Sequence, residues 1–188
     1  MSKIFNIINI TLLIITIIML DIVAINYESK IKHKNVLEQT YENMNNLDNY
    51  KVKYILDNDY NEYIYSFDNF NQFIKEEKID NKNKKNSISY YINFNNSYYY
   101  INDQIISKEN QDIFNKLDFL KEVEIEKKDN NILTIKENKY NIIELKINDN
   151  YLVYVKYKSE DNIRTEIYYD FNKTEVDVPV DILLKIKG

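Results

Sequence analysis

The apolar run IFNIINITLLIITIIMLDIVAI, from Ile4 to Ile25, constrains this chain more than any other feature. Its stretch from Ile7 to Ile25 is long enough to cross a hydrocarbon core of roughly 30 Å as a helix. Asn6, Asn9 and Asp21 lie towards the ends of the run. An Asp at the bilayer centre adds about 3 kcal/mol to the free energy of membrane insertion, and this cost falls near the ends of a span. We therefore predict one membrane-spanning helix.

A cleaved signal peptide is the alternative interpretation of this run. It would also have a short charged start, an apolar stretch and a small residue such as Ala24 near the cleavage site. Ile22 occupies the position two before Ala24, where a small residue is expected, and the run is long for a signal. These two features favour an uncleaved anchor.

The lysines around the run bear on its orientation. Lys30, Lys32 and Lys34 follow it, whereas only Lys3 and the amino terminus precede it. The positive-inside rule alone would place the downstream side in the cytoplasm, but a long domain crosses regardless of such charges. Because the β-rich composition downstream suits an exported domain, we predict a single-pass cell-membrane protein with an extracytoplasmic C-terminal domain.

Composition removes several classes of chemistry. The absence of cysteine excludes disulfides, thiolate zinc sites, a cysteine nucleophile and a lipidated anchor. A net charge of −5 without a basic cluster argues against nucleic acid as a partner. The only glycine is the last residue, so phosphate-binding and dinucleotide-binding turns are missing. Paired carboxylates remain open among thirty acidic residues, but no pair is distinguished by its setting.

The chain divides into one anchor and one domain of about 150 residues. We assign residues 1–3 to a short tail, 4–26 to the anchor or uncleaved signal, 27–35 to a linker and 36–185 to the domain. His33, the single histidine, lies in the linker. No catalytic or metal partner for it is indicated, and we expect a solvated residue.

Two segments have helical periodicity. From Val36 to Leu47 the apolar residues form one stripe, opposite a polar face, which predicts an amphipathic helix that packs on a sheet. From Lys108 to Leu120 the apolar residues again follow helical spacing, with Ser107 as the N-cap.

Alternating apolar and polar residues predict antiparallel strands over most of the domain. A hairpin is predicted from Tyr50–Asp57 and Tyr60–Phe67, with a turn at Asn58 and Asp59. A second, aromatic hairpin joins Ser87–Asn93 to Ser97–Ile101, and its tyrosines suit a core rim or a ligand cavity. Five further strands are predicted in EVEIEK, ILTIKE, NIIELKIN, YLVYVKYK and IRTEIYY, with turns at residues 130–131, 148–150 and 160–162.

Two segments are expected to interrupt or end the sheet. Glu76 to Asn86 has no apolar face and predicts an exposed loop with a local positive patch, which is a solvated connection or a contact to anionic lipid. Pro179 cannot donate to a sheet ladder, so we expect it to cap an edge after Val176 and Val178 complete the last alternation.

The segment DNDYNEYIYSFD, residues 57–68, resembles a calcium-binding loop. Its match consists of Asp57, Asp59, Asn61, Ile64 and Asp68. Glu62 replaces the glycine of the sharp turn, Asp68 replaces the usual bidentate Glu, and the flanks have strand periodicity. We therefore assign these residues to a hairpin and predict no metal or cofactor site.

An export segment, the stretch LEQTYENMNNLDNYKVKYIL and a meander ending YYDFNKTEVDVPVDI follow one another in this order. From Leu37 to Ile182 the chain thereby resembles the extracytoplasmic proteins related to the lipoprotein-sorting chaperone LolA, including the LppX-like lipoproteins. The resemblance implies an α+β fold, a curved antiparallel β-sheet (an incomplete barrel) packed with two helices, whose concave side holds acyl chains. It assigns no individual ligand-binding residue, because contact is spread over the lining.

The resemblance implies a non-enzymatic, membrane-anchored protein that binds a lipid or another hydrophobic ligand in the concave side. The chain lacks the lipobox cysteine of surface-anchored members, so the apolar helix would be its anchor. The alternative function is a structural or assembly subunit of a cell-envelope complex, with exposed tyrosines and a sheet edge for an envelope protein partner. The alternative fold is a cone of the nuclear-transport-factor type, which normally opens with more helix than Val36–Leu47.

Overall fold

The computed structural model describes residues 2–57, 59–95, 97–102, 106–109, 117–160 and 162–187. It contains a long N-terminal helix, an eleven-stranded antiparallel sheet and a short C-terminal helix. The sheet is curved, and among the described strands its two edges do not pair with each other. The predicted α+β fold with an incomplete barrel is therefore confirmed.

The bounds of the elements are as follows. The helices are α1 (Ser2–Asn45), a 3-10 helix (Asp118–Lys121) and α2 (Val180–Lys187). The strands are β1 (Asn49–Leu56), β2 (Asn61–Asp68), β3 (Phe73–Asp80), β4 (Lys85–Phe94), β5 (Ser97–Ile101), β6 (Ile106–Glu109), β7 (Ile125–Asp129), β8 (Ile132–Ile135), β9 (Ile142–Asn148), β10 (Tyr151–Ser159) and β11 (Asn162–Tyr169).

The sheet consists of two meanders joined in its middle. The strand order is β6-β5-β4-β3-β2-β1-β11-β10-β9-β8-β7, so β1 and β11 connect the two halves. Val52 of β1 lies opposite Tyr65 of β2 on one side and Tyr168 of β11 on the other. Both predicted hairpins and the five-strand meander are confirmed, although Asn58, Asn96 and Asp161 of their turns lie outside the described residues.

Asparagine replaces glycine at the turns of this sheet. Asn95, Asn130 and Asn150 have φ values of 49°, 53° and 60°, in the left-handed region that glycine normally occupies. Asparagine tolerates this region better than most residues, because its short side chain forms local hydrogen bonds. Lys84 and Glu160 adopt φ values of 52° and 48° without that advantage.

Helix α1 is continuous from Ser2 to Asn45. Its final turns contain most of the predicted helix Val36–Leu47, and residues 27–35, assigned to a linker, are also helical. The large apolar side chains from Leu12 to Ile25 are between 48% and 65% exposed, so no described part of the chain covers them. The length and composition of this part of α1 suit a membrane span or a signal.

The main core lies on one face of the sheet, called the inner face below. Leu37 and Met44 of α1, and Leu47 just after it, pack there together with residues 117–123. Met44 is completely buried. The strands contribute Tyr50, Val52, Phe67, Ile74, Leu133, Ile135, Ile142, Leu145, Ile147, Leu152, Val155 and Tyr168 to this core.

A smaller apolar cluster covers the opposite, outer face of β3 to β5. Tyr90 and Ile92 of β4 belong to it, whereas Tyr91 between them packs against the main core. Because side chains alternate across a strand, the two clusters lie on opposite faces. Val176 and Val178, followed by α2, supply the covering side of this cluster.

Pro179 directly precedes helix α2 and does not end the sheet. The prediction that Val176 and Val178 complete the last strand is wrong, because both precede α2 in a segment without strand pairing. The carbonyl of Pro179 accepts hydrogen bonds from the amides of Ile182, at 3.0 Å, and Leu183, at 3.3 Å. Proline is favoured at a helix start, where its missing N–H has no partner to lose.

The predicted loop from Glu76 to Asn86 is wrong. β3 continues to Asp80 and β4 begins at Lys85, so only residues 81–84 form a turn. Backbone pairing with β2 and β4 holds β3 in place although its side chains are largely charged. Lys75 Nζ and Glu77 Oε1 form an ion pair at 2.8 Å along the strand.

The predicted helix from Lys108 to Leu120 is wrong where the structure describes it. Ser107 and Lys108 belong to β6, and Ser107 lies opposite Tyr100 instead of capping a helix. Only the 3-10 helix, Asp118–Lys121, is helical near the end of the segment, and residues 110–116 lie outside the described residues. Among the described residues, the second α-helix is α2.

Met44→Ala is expected to lower the free energy of unfolding by about 2–5 kcal/mol, because it leaves a cavity in the main core. Gln39→Ala is the matched control, since Gln39 is exposed on the same helix. Urea denaturation of the full chain in a neutral detergent measures both variants. Equal stability of the two variants would show that α1 does not pack on the sheet as described.

Candidate functional site

A groove with a volume of about 500 Å³ lies between α1 and residues 120–126. The α1 wall extends from Asn26 to Glu38. Leu37, Leu120 and Val123 line the groove and also belong to the main core, so its apolar floor continues into the core of the inner face. This volume lies within the roughly 300–1,000 Å³ typical of small-molecule pockets.

Charged side chains of both signs border this groove and pair with one another. Lys34 Nζ lies 3.7 Å from Glu38 Oε1 along α1. Lys136 Nζ lies 2.9 Å from Glu124 Oε2 on the opposite side. The rim is therefore polar and close to neutral in charge, whereas the floor is apolar.

His33 lies on the α1 wall of the groove and is half-buried. The sequence had led us to expect a solvated side chain at this position. Its partial burial, and then the positive charges of Lys128 and Lys32, lower the pKa of its imidazole below 6.5. The imidazole is therefore neutral at pH 7. Within the described ranges no group of three or more His, Asp or Glu side chains is placed to hold a metal ion.

A second depression, of about 640 Å³, lies where the start of β1 meets residues 174–177. It is open to solvent, and carboxylates such as Asp48, Asp68 and Asp177 dominate its lining. An apolar ligand would gain little by entering it, because little apolar surface would leave water.

The residues that resemble a calcium loop lie in the β1–β2 hairpin. Asp59 Oδ1 accepts hydrogen bonds from the Asn61 backbone amide, at 3.0 Å, and from Asn61 Nδ2, at 2.8 Å. Asp68, at the end of β2, accepts from Asn71 through both oxygens, each at 2.8 Å. Ile64 lies within β2. Their carboxylates thus serve two successive turns of the sheet.

A row of aromatic rings crosses the inner face of the other half of the sheet. The tyrosine row consists of Tyr54, Tyr65, Tyr91 and Tyr100, on β1, β2, β4 and β5, with Glu76 of β3 opposite Tyr65. Ring centroids are 4.8 Å apart for Tyr54 and Tyr65, 6.5 Å for Tyr65 and Tyr91, and 4.9 Å for Tyr91 and Tyr100. All four rings are half-buried, and Tyr54, Tyr65 and Tyr91 pack against the main core.

Glu76 connects the middle of the tyrosine row. The hydroxyl of Tyr65 donates to Glu76 Oε1 at 3.0 Å, and that of Tyr91 donates to Oε2 at 3.1 Å. Burial, and then the negative charge of Glu76, raise the pKa of both tyrosines well above the ordinary range. Both phenols therefore remain protonated donors at neutral pH.

Glu166 of β11 is another carboxylate on this face and is buried. Its Oε2 accepts from the hydroxyls of Tyr168, at 2.9 Å, and Tyr157, at 3.2 Å. Arg164 Nη2 lies 3.3 Å from Glu166 Oε1, and the Arg164 guanidinium lies 4.1 Å from the ring centre of Tyr157. The cation is thus held by a carboxylate and an aromatic ring together.

Sequence reasoning found part of this face. It assigned the tyrosines of the aromatic hairpin to a core rim or ligand cavity, and Tyr91 lies at the rim of the main core. It placed Glu76 in a loop, and it gave no special role to Glu166. If the segment after β2 had been interpreted as its hairpin partner, Glu76 would have been placed opposite Tyr65.

Comparisons with known proteins point to one fold. A scan against protein-family models finds no match, and no curated protein matches the sequence. The solved structure of lipoprotein LppX from Mycobacterium tuberculosis matches 80% of this chain and 100% of its own, with a TM-score of 0.52 and 8% identity. This chain has the LppX fold. LprF from Mycobacterium bovis matches 79% of this chain and 96% of its own, with a TM-score of 0.47 and 10% identity.

Alkaline pH is expected to unfold this LppX-like domain between about pH 10 and pH 12. Half-buried tyrosines such as Tyr65 and Tyr91 have a pKa above 10.0 in the folded chain, and burial with a bond to Glu144 raises the pKa of Tyr154 to about 12. Their stabilisation is complete below pH 10 and is lost as pH rises through the folded-state pKa.

Tyrosinate absorbance and circular dichroism, followed together through an alkaline titration, measure this effect. The last tyrosines are expected to ionise only as the sheet signal is lost. Ionisation of all 18 tyrosines near pH 10 with the sheet intact would contradict the burial described here.

Proposed function

We propose that this chain is a membrane-anchored, extracytoplasmic, non-enzymatic protein that binds a lipid acyl chain or another apolar ligand on the concave side of its sheet, in the groove beside α1. The groove carries the proposal, because its apolar floor adjoins the main core. The resemblance to LolA-related proteins, which implies an acyl-chain site on the concave side, supports the same assignment.

The position of the groove suits a ligand that arrives from a membrane. Its α1 wall starts at Asn26, where the predicted span of residues 4–26 ends. The exposed apolar side chains of α1 before that point have no cover within the described structure, as expected for a helix surrounded by lipid. A bilayer lipid could therefore reach the groove without a long path through water.

Burial of apolar surface would supply the binding free energy. Each methylene group removed from water contributes about 0.8 kcal/mol, which changes a dissociation constant about fourfold. Affinity should therefore increase with acyl-chain length until the groove is full. The paired charges at the rim, such as Lys34 with Glu38, would contact a polar headgroup and leave the floor to the chain.

The geometry favours a ligand over a protein partner at the nearby sheet edge. β7 forms one edge of the sheet and carries Lys127 and Lys128, both exposed. Lysines on an edge strand oppose the addition of another strand. A structural role in an envelope complex would need a different surface.

A photoactivatable fatty acid tests the proposal in cells that express the full chain. After illumination, peptides that contain residues 120–126 are expected to carry the lipid, as shown by mass spectrometry. These residues are the informative ones, because they lie outside the predicted span, whereas the apolar part of α1 would be labelled in any membrane.

Ser29→Trp is expected to reduce labelling of residues 120–126 to background, because Ser29 is exposed on the α1 wall and a large ring there fills the groove. Asn35→Trp is the matched control, since Asn35 is an exposed polar residue of the same helix that does not line the groove. No labelling of residues 120–126 in the unmodified chain, or equal labelling in both variants, would refute the proposal.

A further inference from the structure

His33 marks the point at which helix α1 first meets the domain. The side chains from Thr11 to Lys32 are all exposed, and His33 is the next along the helix and is half-buried. It lies on the wall of the groove beside α1, about one helical turn before Leu37. Leu37 also belongs to the main core. Along α1, His33 therefore lies where the groove wall reaches the apolar floor.

The groove changes from polar to apolar along α1. Ser29 and Lys30 precede His33 on the wall, and Leu37 follows it. At 1.5 Å per residue, His33 and Leu37 are about 6 Å apart along the helix axis. An amphiphile with its acyl chain on the apolar floor would therefore place its headgroup beside His33.

Lysines and glutamates line the groove in equal numbers among the described residues. Those of α1 are Lys30, Lys34 and Glu38. Those of the opposite side are Lys121, Glu122, Glu124, Glu126 and Lys136. Of the described lining groups, the His33 imidazole is the one whose charge changes in the physiological pH range. Its protonation adds a positive charge to a rim that is otherwise balanced.

The surroundings of the imidazole favour a negative group beside it. Partial burial, and then the positive charges of Lys128 and Lys32, lower the pKa of His33. Carboxylates of the groove have lysine partners, such as Glu124, which lies 2.9 Å from Lys136 Nζ. An anion beside His33 would offset the positive charges and would favour the protonated imidazole.

We propose that His33 recognises the headgroup of an anionic amphiphile, with its protonated imidazole donating a hydrogen bond to a carboxylate or phosphate oxygen. The acyl chain lies on the apolar floor, and since the same groove is involved, this assignment rests on the proposed function. A hydrogen bond between charged groups is about twice as strong as one between neutral groups. Lys30 lies three residues before His33 on the same wall and adds a second positive charge near the headgroup.

Binding of such an anion takes up a proton. The anion binds the protonated imidazole more tightly than the neutral form, so it raises the pKa of His33. Affinity therefore increases as pH falls through the pKa of the bound state, and it becomes constant below the pKa of the free chain. An uncharged amphiphile would show no such dependence.

NMR of the full chain with isotopically labelled histidine tests the assignment, because the chain has a single histidine. The probes in neutral maltoside detergent are myristoyl-lysophosphatidylglycerol, N-myristoylglycine and uncharged monomyristin. At least one of the two anions is expected to raise the titration midpoint of His33 by about 1 pH unit, which corresponds to a tenfold preference for the protonated form. Monomyristin is expected to leave the midpoint unchanged.

Ser29→Trp, which fills the groove, is expected to abolish this rise, whereas Asn35→Trp outside the groove retains it. A rise with one anion only would identify phosphate or carboxylate as the recognised group. An equal rise in both variants would reflect the charge of the micelle and would overturn the headgroup assignment.

The same spectra separate the headgroup assignment from the proposed function. Monomyristin and the anions are expected to move the imidazole signals above the midpoint, since all three occupy the groove. Such a response without any change of the midpoint would overturn the headgroup assignment and leave the proposed function intact. No response to any of the three amphiphiles would overturn both.

Substitution of His33 gives an independent measurement with radiolabelled lysophosphatidylglycerol and the immobilised full chain. The unmodified chain and the control Asn35→Gln are expected to bind about fivefold more tightly at about pH 5.5 than at about pH 7.5. His33→Gln should lose this dependence, and the permanent cation of His33→Arg should bind equally at both pH values. Circular dichroism checks the fold. A folded His33→Gln chain that retains the increase at low pH would overturn the headgroup assignment.

Discussion

The antiparallel pairing of β1 with β11 joins two meanders into one sheet, and the other features of the fold depend on it. Lys51 to Leu56 lie opposite Tyr169 to Arg164, so the first strand after α1 and the last strand of the second meander are neighbours. The end of α1 thereby packs over a continuous inner face and not over two separate sheets. The same pairing places Tyr54, from one meander, opposite Glu166 from the other.

The strand order also explains why a groove exists. β6 and β7 follow each other in the sequence but lie at opposite edges of the sheet, so the chain between them has to cross from one edge to the other. Its described part, residues 117–123, lies on the inner face next to α1. A helix and an irregular segment pack side by side through side chains alone, without a shared backbone ladder. Their contact therefore leaves the groove between them, and the groove has an apolar floor.

Much of the fold was predictable because alternation records burial directly. β1 places Tyr50, Val52 and Tyr54 on the inner face at every second position, and the sequence pattern predicted that strand. β3 was missed because charged side chains occupy both of its faces. Among them, Glu76 is bonded to Tyr65 of β2, which only the folded sheet brings beside it. Pro179 was misassigned because a helix start and a strand end tolerate proline for the same reason, its missing N–H.

The candidate sites were less predictable than the fold. The groove depends on the relative position of α1 and residues 120–126, which are distant in sequence and share no motif. The tyrosine row depends on register, because a shift of one residue would turn Glu76 to the outer face. Neither kind of information is present in local periodicity. Composition showed that tyrosines are abundant, but it did not show which of them share a face.

Helix α1 passes from the apolar run into the domain without a hinge. At 1.5 Å per residue, the turns from Tyr27 to Asn45 form a helical segment about 28 Å long. With residues 4–26 in a bilayer, this helical segment would set both the distance of the sheet from the membrane surface and its orientation. In that arrangement the domain would stay at a fixed distance from the membrane surface, and any ligand of the groove would have to come to it.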